Sequence, residues 1–119
     1  MTRIKGSSDC GNPPKNRFVQ DVALMLESDR ALKDSFAEDV ALYREGHDPV
    51  VGDEAVSRAI RGTQPDAIEI HHAVTHGKVG AANGITVTAD GRPREFCYVL
   101  EFTSTKASRV QTIRRYGAC

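Results

Sequence analysis

The spacing of apolar residues changes period along this chain, and that change limits the folds open to it. Three helical patterns come first, with one short strand before the third. Four long alternating segments then run from about Ala67 to Tyr116. A helix buries a stripe at i, i+3, i+4 and i+7, whereas a strand buries every second residue. The order α-α-β-α-β-β-β-β therefore predicts an α+β domain whose sheet curves over its helices. Such an arrangement leaves a pocket between the two layers.

Residues 1–11 are polar and aperiodic and read as a flexible tail; residues 12–119 read as one domain. Asn12 and Pro13 supply an N-cap and a first helical residue. Phe18, Val22, Met25 and Leu26 follow as one stripe. Ser28 and Asp29 end that helix and start a short second one, with Leu32 and Phe36 facing inward. Asp39 to Arg44 reads as a strand with Val40, Leu42 and Arg44 on one face. Glu45 to Val51, with Gly46 and Pro49, reads as loop. The third helix carries Asp53 and Glu54 in its first turn, Arg58 and Arg61 in its last, and Gly62 at its C-cap, a layout matched to the helix dipole.

Alternation in the second half assigns faces. Ile68, Ile70, His72 and Val74 share one side of the second strand. Val79, Ala81, Asn83, Ile85 and Val87 share one side of the third. Asn83-Gly84 is also a strong hairpin signal. A turn there would leave too short a strand before the better turn at Asp90-Gly91, so one continuous strand is expected, with Gly84 at a bend or bulge. Phe96, Tyr98, Leu100 and Phe102 line the fourth strand. Val110, Thr112, Arg114 and Tyr116 line the last, with Gln111, Ile113 and Arg115 opposite.

Composition narrows function by exclusion. Lys plus Arg equals Asp plus Glu at 16 each, so the chain has no general attraction for phosphate backbones and no nucleic-acid partner is expected. No apolar run exceeds the five residues of Val22–Leu26 or Phe96–Leu100, which predicts neither a membrane span nor a secretory core. Cys10, Cys97 and Cys119 have no CxxC spacing and read as free thiols in a reducing cytoplasm. His71, His72 and His76 tempt a metal reading. On a strand, however, His71 and His72 face opposite ways, and His72 and His76 stand about 13 Å apart, too far for ligands about 2 Å from one zinc ion. No metal site is expected.

The stretches Phe36–Tyr43, Val51–Ile60, Ile68–Val74, Phe96–Phe102 and Ile113–Tyr116, with the Asp90-Gly91 hairpin, together resemble the nuclear transport factor 2-like superfamily. The resemblance spans roughly residues 13–116 and looks nearest to the SnoaL-like and ketosteroid-isomerase-like branch. It implies a cone: a strongly bent, mostly antiparallel sheet wrapped around a long N-terminal helix, open at one end, and paired as a homodimer through its outer face. Cys97, Val99 and Ile113 would lie in that interface. Enzymes of the family isomerise, cyclise, dehydrate or hydrolyse small hydrophobic molecules, usually without a cofactor. Arg44 stands where many of them carry a carboxylate, and Tyr98 where SnoaL-like members carry an Asp.

The polar residues assigned to the concave face are Arg44, His72, Asn83, Tyr98, Thr112, Arg114 and Tyr116. His72 titrates near neutrality and is the candidate base, with Tyr98 as a hydrogen-bond donor to developing negative charge. The plainer reading of His72 is a core histidine satisfied by Asn83 or Tyr98. Arg44, Asn83, Arg114 and Tyr116, with Met25 from the helix, form the ligand-binding set. His47 and Asp48 lie in the loop near the pocket entrance. Two functions follow: a cofactor-independent enzyme transferring protons on a small apolar molecule, or a non-catalytic ligand-binding or protein-interaction module.

Overall fold

The computed structural model describes residues 3–6, 14–28, 35–60, 65–104 and 109–117. In chain order the elements are β1 (Arg3–Lys5), α1 (Pro14–Glu27), β2 (Phe36–Arg44), β3 (Val50–Val51), α2 (Asp53–Ala59), β4 (Ala67–His76), β5 (Val79–Val87), β6 (Pro93–Phe102) and β7 (Val110–Gly117). The strands join one sheet in the order β1-β4-β5-β6-β7-β2-β3. β4 to β7 form an antiparallel meander, and β2 pairs antiparallel with β3. β1 on β4 and β2 on β7 are parallel, so the sheet is mixed.

This order corrects the expected one in three places. Arg3–Lys5, assigned to a loose tail, adds to the sheet edge: Arg3 N–H donates to the Asp66 carbonyl at 2.8 Å, and Lys5 pairs with Glu69 at 3.4 Å. Val50–Val51, assigned to loop, is a short strand folded back on Ala41 and Leu42. Phe36, assigned to a second helix, begins β2 and is buried. The helix expected to run to a Gly62 cap, α2, ends earlier, at Ala59 with Ile60 as its C-cap and Arg58 in its last turn. Leu32 of the expected second helix, the Asn12-Pro13 cap, Arg61 and Gly62 lie outside the described residues.

α1 packs on β4 and β5, and α2 packs on β2. Val19, Val22, Ala23, Met25 and Leu26 enter a core completed by Leu42, Ile68, Ile70, Phe96, Leu100, Phe102 and Ile113. Close approach of α1 needs small residues beneath it. The buried side of β5 is accordingly Gly80, Ala82, Gly84 and Thr86, the reverse of the expected face. A Cβ on Gly80 would sit 2.6 Å from Val19 Cγ2 and 3.0 Å from the Phe102 ring. The larger side chains Val79, Ile85 and Val87 turn outward instead.

Two bulges then reset the faces of other strands. Ile70 pairs with Gly84 and His72 with Asn83, which leaves His71 as an extra residue in β4. Opposite this bulge, a Cβ on Gly84 would collide with the Glu69 carbonyl oxygen. Phe102 pairs with Val110 and Glu101 with Thr112, so Gln111 is extra in β7. Each extra residue moves the following side chains to the opposite face. As a result, Ala73 is buried while His72 and Val74 are exposed, and Ile113 is buried while Arg114 and Tyr116 are exposed. Asn83-Gly84 lies within a continuous β5, as expected, and Gly91, with φ of 79°, closes the β5–β6 turn. No helix among the described residues is long and apolar enough to cross a membrane.

Candidate functional site

At one end of the sheet, where α1 stops and α2 crosses β2, a cavity of about 170 Å³ opens between the layers. Leu26, Leu42, Ala59 and Ile60 supply apolar walls. Glu27, Arg44, Tyr98 and Arg115 supply the polar ones. Each side chain arrives by a local rule. Glu27 ends α1 and continues the buried row Val19, Ala23 at i+4 spacing. Tyr98 follows Phe96 on the inner face of β6. Arg44 follows Val40 and Leu42 on β2. Arg115 follows Ile113 on β7, on the inner face because Gln111 bulges, and is the β-sheet neighbour of Arg44.

Glu27 is the centre of this end. Its side chain is 8% exposed and that of Arg115 is 12% exposed. The carboxylate accepts from four donors. Thr86 Oγ1 reaches Oε1 at 2.8 Å and Arg115 Nη2 reaches the same oxygen at 3.3 Å. The Tyr98 hydroxyl donates to Oε2, and Arg115 Nε reaches that oxygen at 3.3 Å. Arg115 Nε also donates to the Tyr98 hydroxyl oxygen at 3.1 Å. A carboxylate offers about four acceptor positions, so its hydrogen-bonding capacity is filled. Burial, reinforced by the Glu27 charge, pushes the Tyr98 phenol well above its ordinary pKa. Burial opposes the charge on Arg115, but the Tyr98 oxygen and Glu27 carboxylate outweigh it and raise its pKa. The group is therefore a carboxylate, a neutral phenol and a guanidinium locked together.

Arg44 differs. Its Nε is buried and has no hydrogen-bond partner among the described residues. An unpaired buried donor costs about 1–3 kcal/mol. Arg44 also walls a second depression of about 200 Å³, together with Tyr43, Glu45, Arg114, Arg115 and Tyr116. There the Arg114 guanidinium lies 4.5 Å over the Tyr43 ring, and Arg114 Nε is 3.9 Å from Glu101.

The candidate residues thus separate. Tyr98 and Arg44 meet in the pocket, while Met25 is packed in the core. Arg114 and Tyr116 lie on the outer side, in the second depression. His72 is exposed, because the His71 bulge turns it away from the core. Asn83 also faces outward, beside His71, Cys97 and Tyr116 in a depression of about 330 Å³. Its Oδ1 is buried without a hydrogen-bond partner among the described residues. His71 pairs with Glu69 at 3.0 Å; the His71 hydrogen bond, then Lys5, lowers the Glu69 pKa. Cys97 is a free thiol whose pKa burial raises. A larger depression, about 460 Å³, adjoins β1, but its acid Glu69 is already committed to Lys5 and His71. No group of three His, Cys, Asp or Glu able to hold a metal occurs among the described residues.

The sequence reading missed Glu27, Thr86 and Arg115. For Glu27 a signal was present, since a charged residue at i+4 from Ala23 sits on the buried row. Arg115 and Thr86 gave none, because their faces depend on the Gln111 bulge and on the small-residue side of β5.

No protein-family model matches the chain, and no curated protein matches its sequence. Solved structures do match its shape. A nuclear transport factor 2-like protein of unknown function from Burkholderia xenovorans superposes with a TM-score of 0.70 at 15% identity, over 88% of this chain and 84% of that one. A nuclear transport factor 2-like protein of unknown function from Mesorhizobium loti gives 0.67 at 13% identity, over 96% and 99%. A de novo designed protein with a curved β-sheet gives 0.74 at 17% identity, over 90% and 88%. The chain has the nuclear transport factor 2-like fold. Since a designed protein shares it, the fold carries no particular chemistry.

Proposed function

We propose that this chain is a small-molecule binding protein of the SnoaL-like type, cytoplasmic and without catalytic chemistry of its own, which takes its ligand in the cavity between α1, α2 and the end of the sheet. One observation carries this reading: every acceptor position of the Glu27 carboxylate is already filled by Thr86, Tyr98 and Arg115. A proton-transfer enzyme needs a base within hydrogen-bond reach of its substrate. Glu27 is the carboxylate of this pocket and is fully engaged, and His72 lies outside it. What remains is a rigid polar floor, four apolar walls and Arg44, an arrangement suited to holding a ligand. The isomerase, cyclase, dehydratase or hydrolase activities of similar enzymes would require Glu27 to leave its donors.

NMR titration of the labelled protein with a library of small, partly apolar compounds tests this. Binding should shift the amides of Leu42, Ala59 and Ile60 and leave the bound compounds chemically unchanged. Turnover of a bound compound would replace the binding reading with the enzyme. A library that leaves all three amides unmoved would remove the pocket as a site.

We also propose a homodimer through the outer sheet face. Support comes from its apolar row, in which Val74 pairs with Ala81 and Ala81 with Val99, flanked by Val79. Ile113 has no place in it, being buried in the core. Light scattering at micromolar concentration should give about twice the 13.0 kDa chain mass; a monomer would remove the proposal.

A further inference from the structure

We propose that the ligand of the α1–α2 cavity is a short organic carboxylate whose charge is met by Arg44. This rests on the binding reading above and names the ligand class. Three observations carry it. The first is charge. Of the residues walling the cavity, Arg44 and Arg115 are cations and Glu27 is the anion. Glu27 is bound to Arg115, so one positive charge, that of Arg44, is left over. The second is the unmet donor. Arg44 Nε is buried and without a hydrogen-bond partner among the described residues, whereas Arg115 beside it in the sheet is fully engaged. A small turn of the Arg44 guanidinium toward the cavity would present its planar fork, which matches a carboxylate edge on. The third is the apolar lining. Leu26, Leu42, Ala59 and Ile60 leave the rest of the space suited to a hydrocarbon tail. An inorganic anion would leave those walls unused.

Size limits the tail. One water takes about 30 Å³ of liquid, so a cavity of about 170 Å³ holds on the order of six non-hydrogen atoms. A branched four- or five-carbon acid is of that order.

A matched pair of probes gives the test: 3-methylbutanoate and 3-methylbutanamide, equal in non-hydrogen atoms and different in charge. Their affinities are read from amide shifts of Leu42, Ala59 and Ile60. The acid should bind about tenfold more tightly, the factor separating a charge-assisted hydrogen bond from a neutral one. Arg44→Gln should abolish that preference, bringing the two probes to equal affinity. Equal affinity for the two probes in the unaltered protein would overturn the carboxylate proposal and leave the binding reading standing. That comparison needs no variant, so a poorly folded Arg44→Gln does not spoil it. A preference that survives in Arg44→Gln would also overturn it, by assigning the charge recognition to another group. If neither probe moves the three amides, the proposal fails. If the wider library is silent as well, the binding reading fails with it.

Discussion

β6 and β7 lie side by side, yet one keeps its alternation and the other does not. Phe96, Tyr98, Leu100 and Phe102 all face the core, as a simple period of two requires. In β7 the count slips at Gln111, which is held outward by Asp39 at 3.0 Å. Arg115 then takes the inner position that alternation assigns to Arg114. β4 slips in the same way at His71. The lesson concerns error size: one extra residue does not blur a face assignment but inverts it for everything that follows. The inverted end of β7 runs into the cavity, where simple alternation puts Arg114 in place of Arg115, while the inverted end of β4 turns His72 away from the core.

Neighbouring arginines provide the sharpest way to break this comparison. Arg115→Ala removes one partner of a buried ion pair and leaves Glu27 uncompensated, which should cost about 3–5 kcal/mol in urea unfolding. Arg114→Ala, one residue away but exposed, loses its stacking on Tyr43 and should cost no more than about 1 kcal/mol. Similar losses in the two would mean that β7 has no bulge. Next in size is Gly84→Ala. Its methyl would meet the Glu69 carbonyl oxygen across from the His71 bulge. The expected cost is about 3 kcal/mol, at the top of the range for overpacking. An unchanged unfolding midpoint would show that β4 and β5 pair in another register.

A smaller effect belongs to the regular strand. Tyr98→Phe removes a donor to the buried carboxylate and should cost about 1.5–3 kcal/mol, whereas Tyr116→Phe on the outer side should cost nothing measurable. The Tyr98 loss has a pH signature. In the unfolded chain a tyrosine titrates near pH 10, but in the folded protein burial and Glu27 hold its pKa well above that. As pH rises past about 10, the unfolded state loses its proton while the folded state keeps it. Stability therefore falls with rising pH, because the folded state binds more protons. Tyr98→Phe should flatten that alkaline decline, and an identical slope in the variant would place Tyr98 outside the buried cluster.

How far the sequence could be read follows from the same physics. The stripe of α1, the turn at Gly91, the continuous β5 through Asn83-Gly84, and the inward Val40, Leu42 and Arg44 are all legible, because each depends on a local period or a local backbone preference. β1 was not, since Arg3–Lys5 has no apolar period and is recruited by hydrogen bonds to Asp66 and pairing to β4. The faces of β5 were reversed for a tertiary reason: the inner side had to be small to admit Val19, and outward Val79, Ile85 and Val87 then imitate a core pattern. Glu27 is legible in position, because it continues the buried row of α1 at i+4 from Ala23.

The smallest expected effect concerns His72, the candidate base of the catalytic reading. Alternation from Ile68 and Ile70 places it on the core face. With His71 extra, His72 instead pairs with Asn83 on the outer face and is exposed. His72→Ala should then change stability by no more than about 0.5 kcal/mol and leave carboxylate binding at Arg44 unaltered. His71→Ala should behave alike, apart from losing its hydrogen bond to Glu69, an exposed contact of small worth. The two neighbours are thus expected to act as equals, although strict alternation would make them opposites. A loss of several kcal/mol in His72→Ala alone would restore the unbulged register, return His72 to the pocket wall, and with it the proton-transfer enzyme.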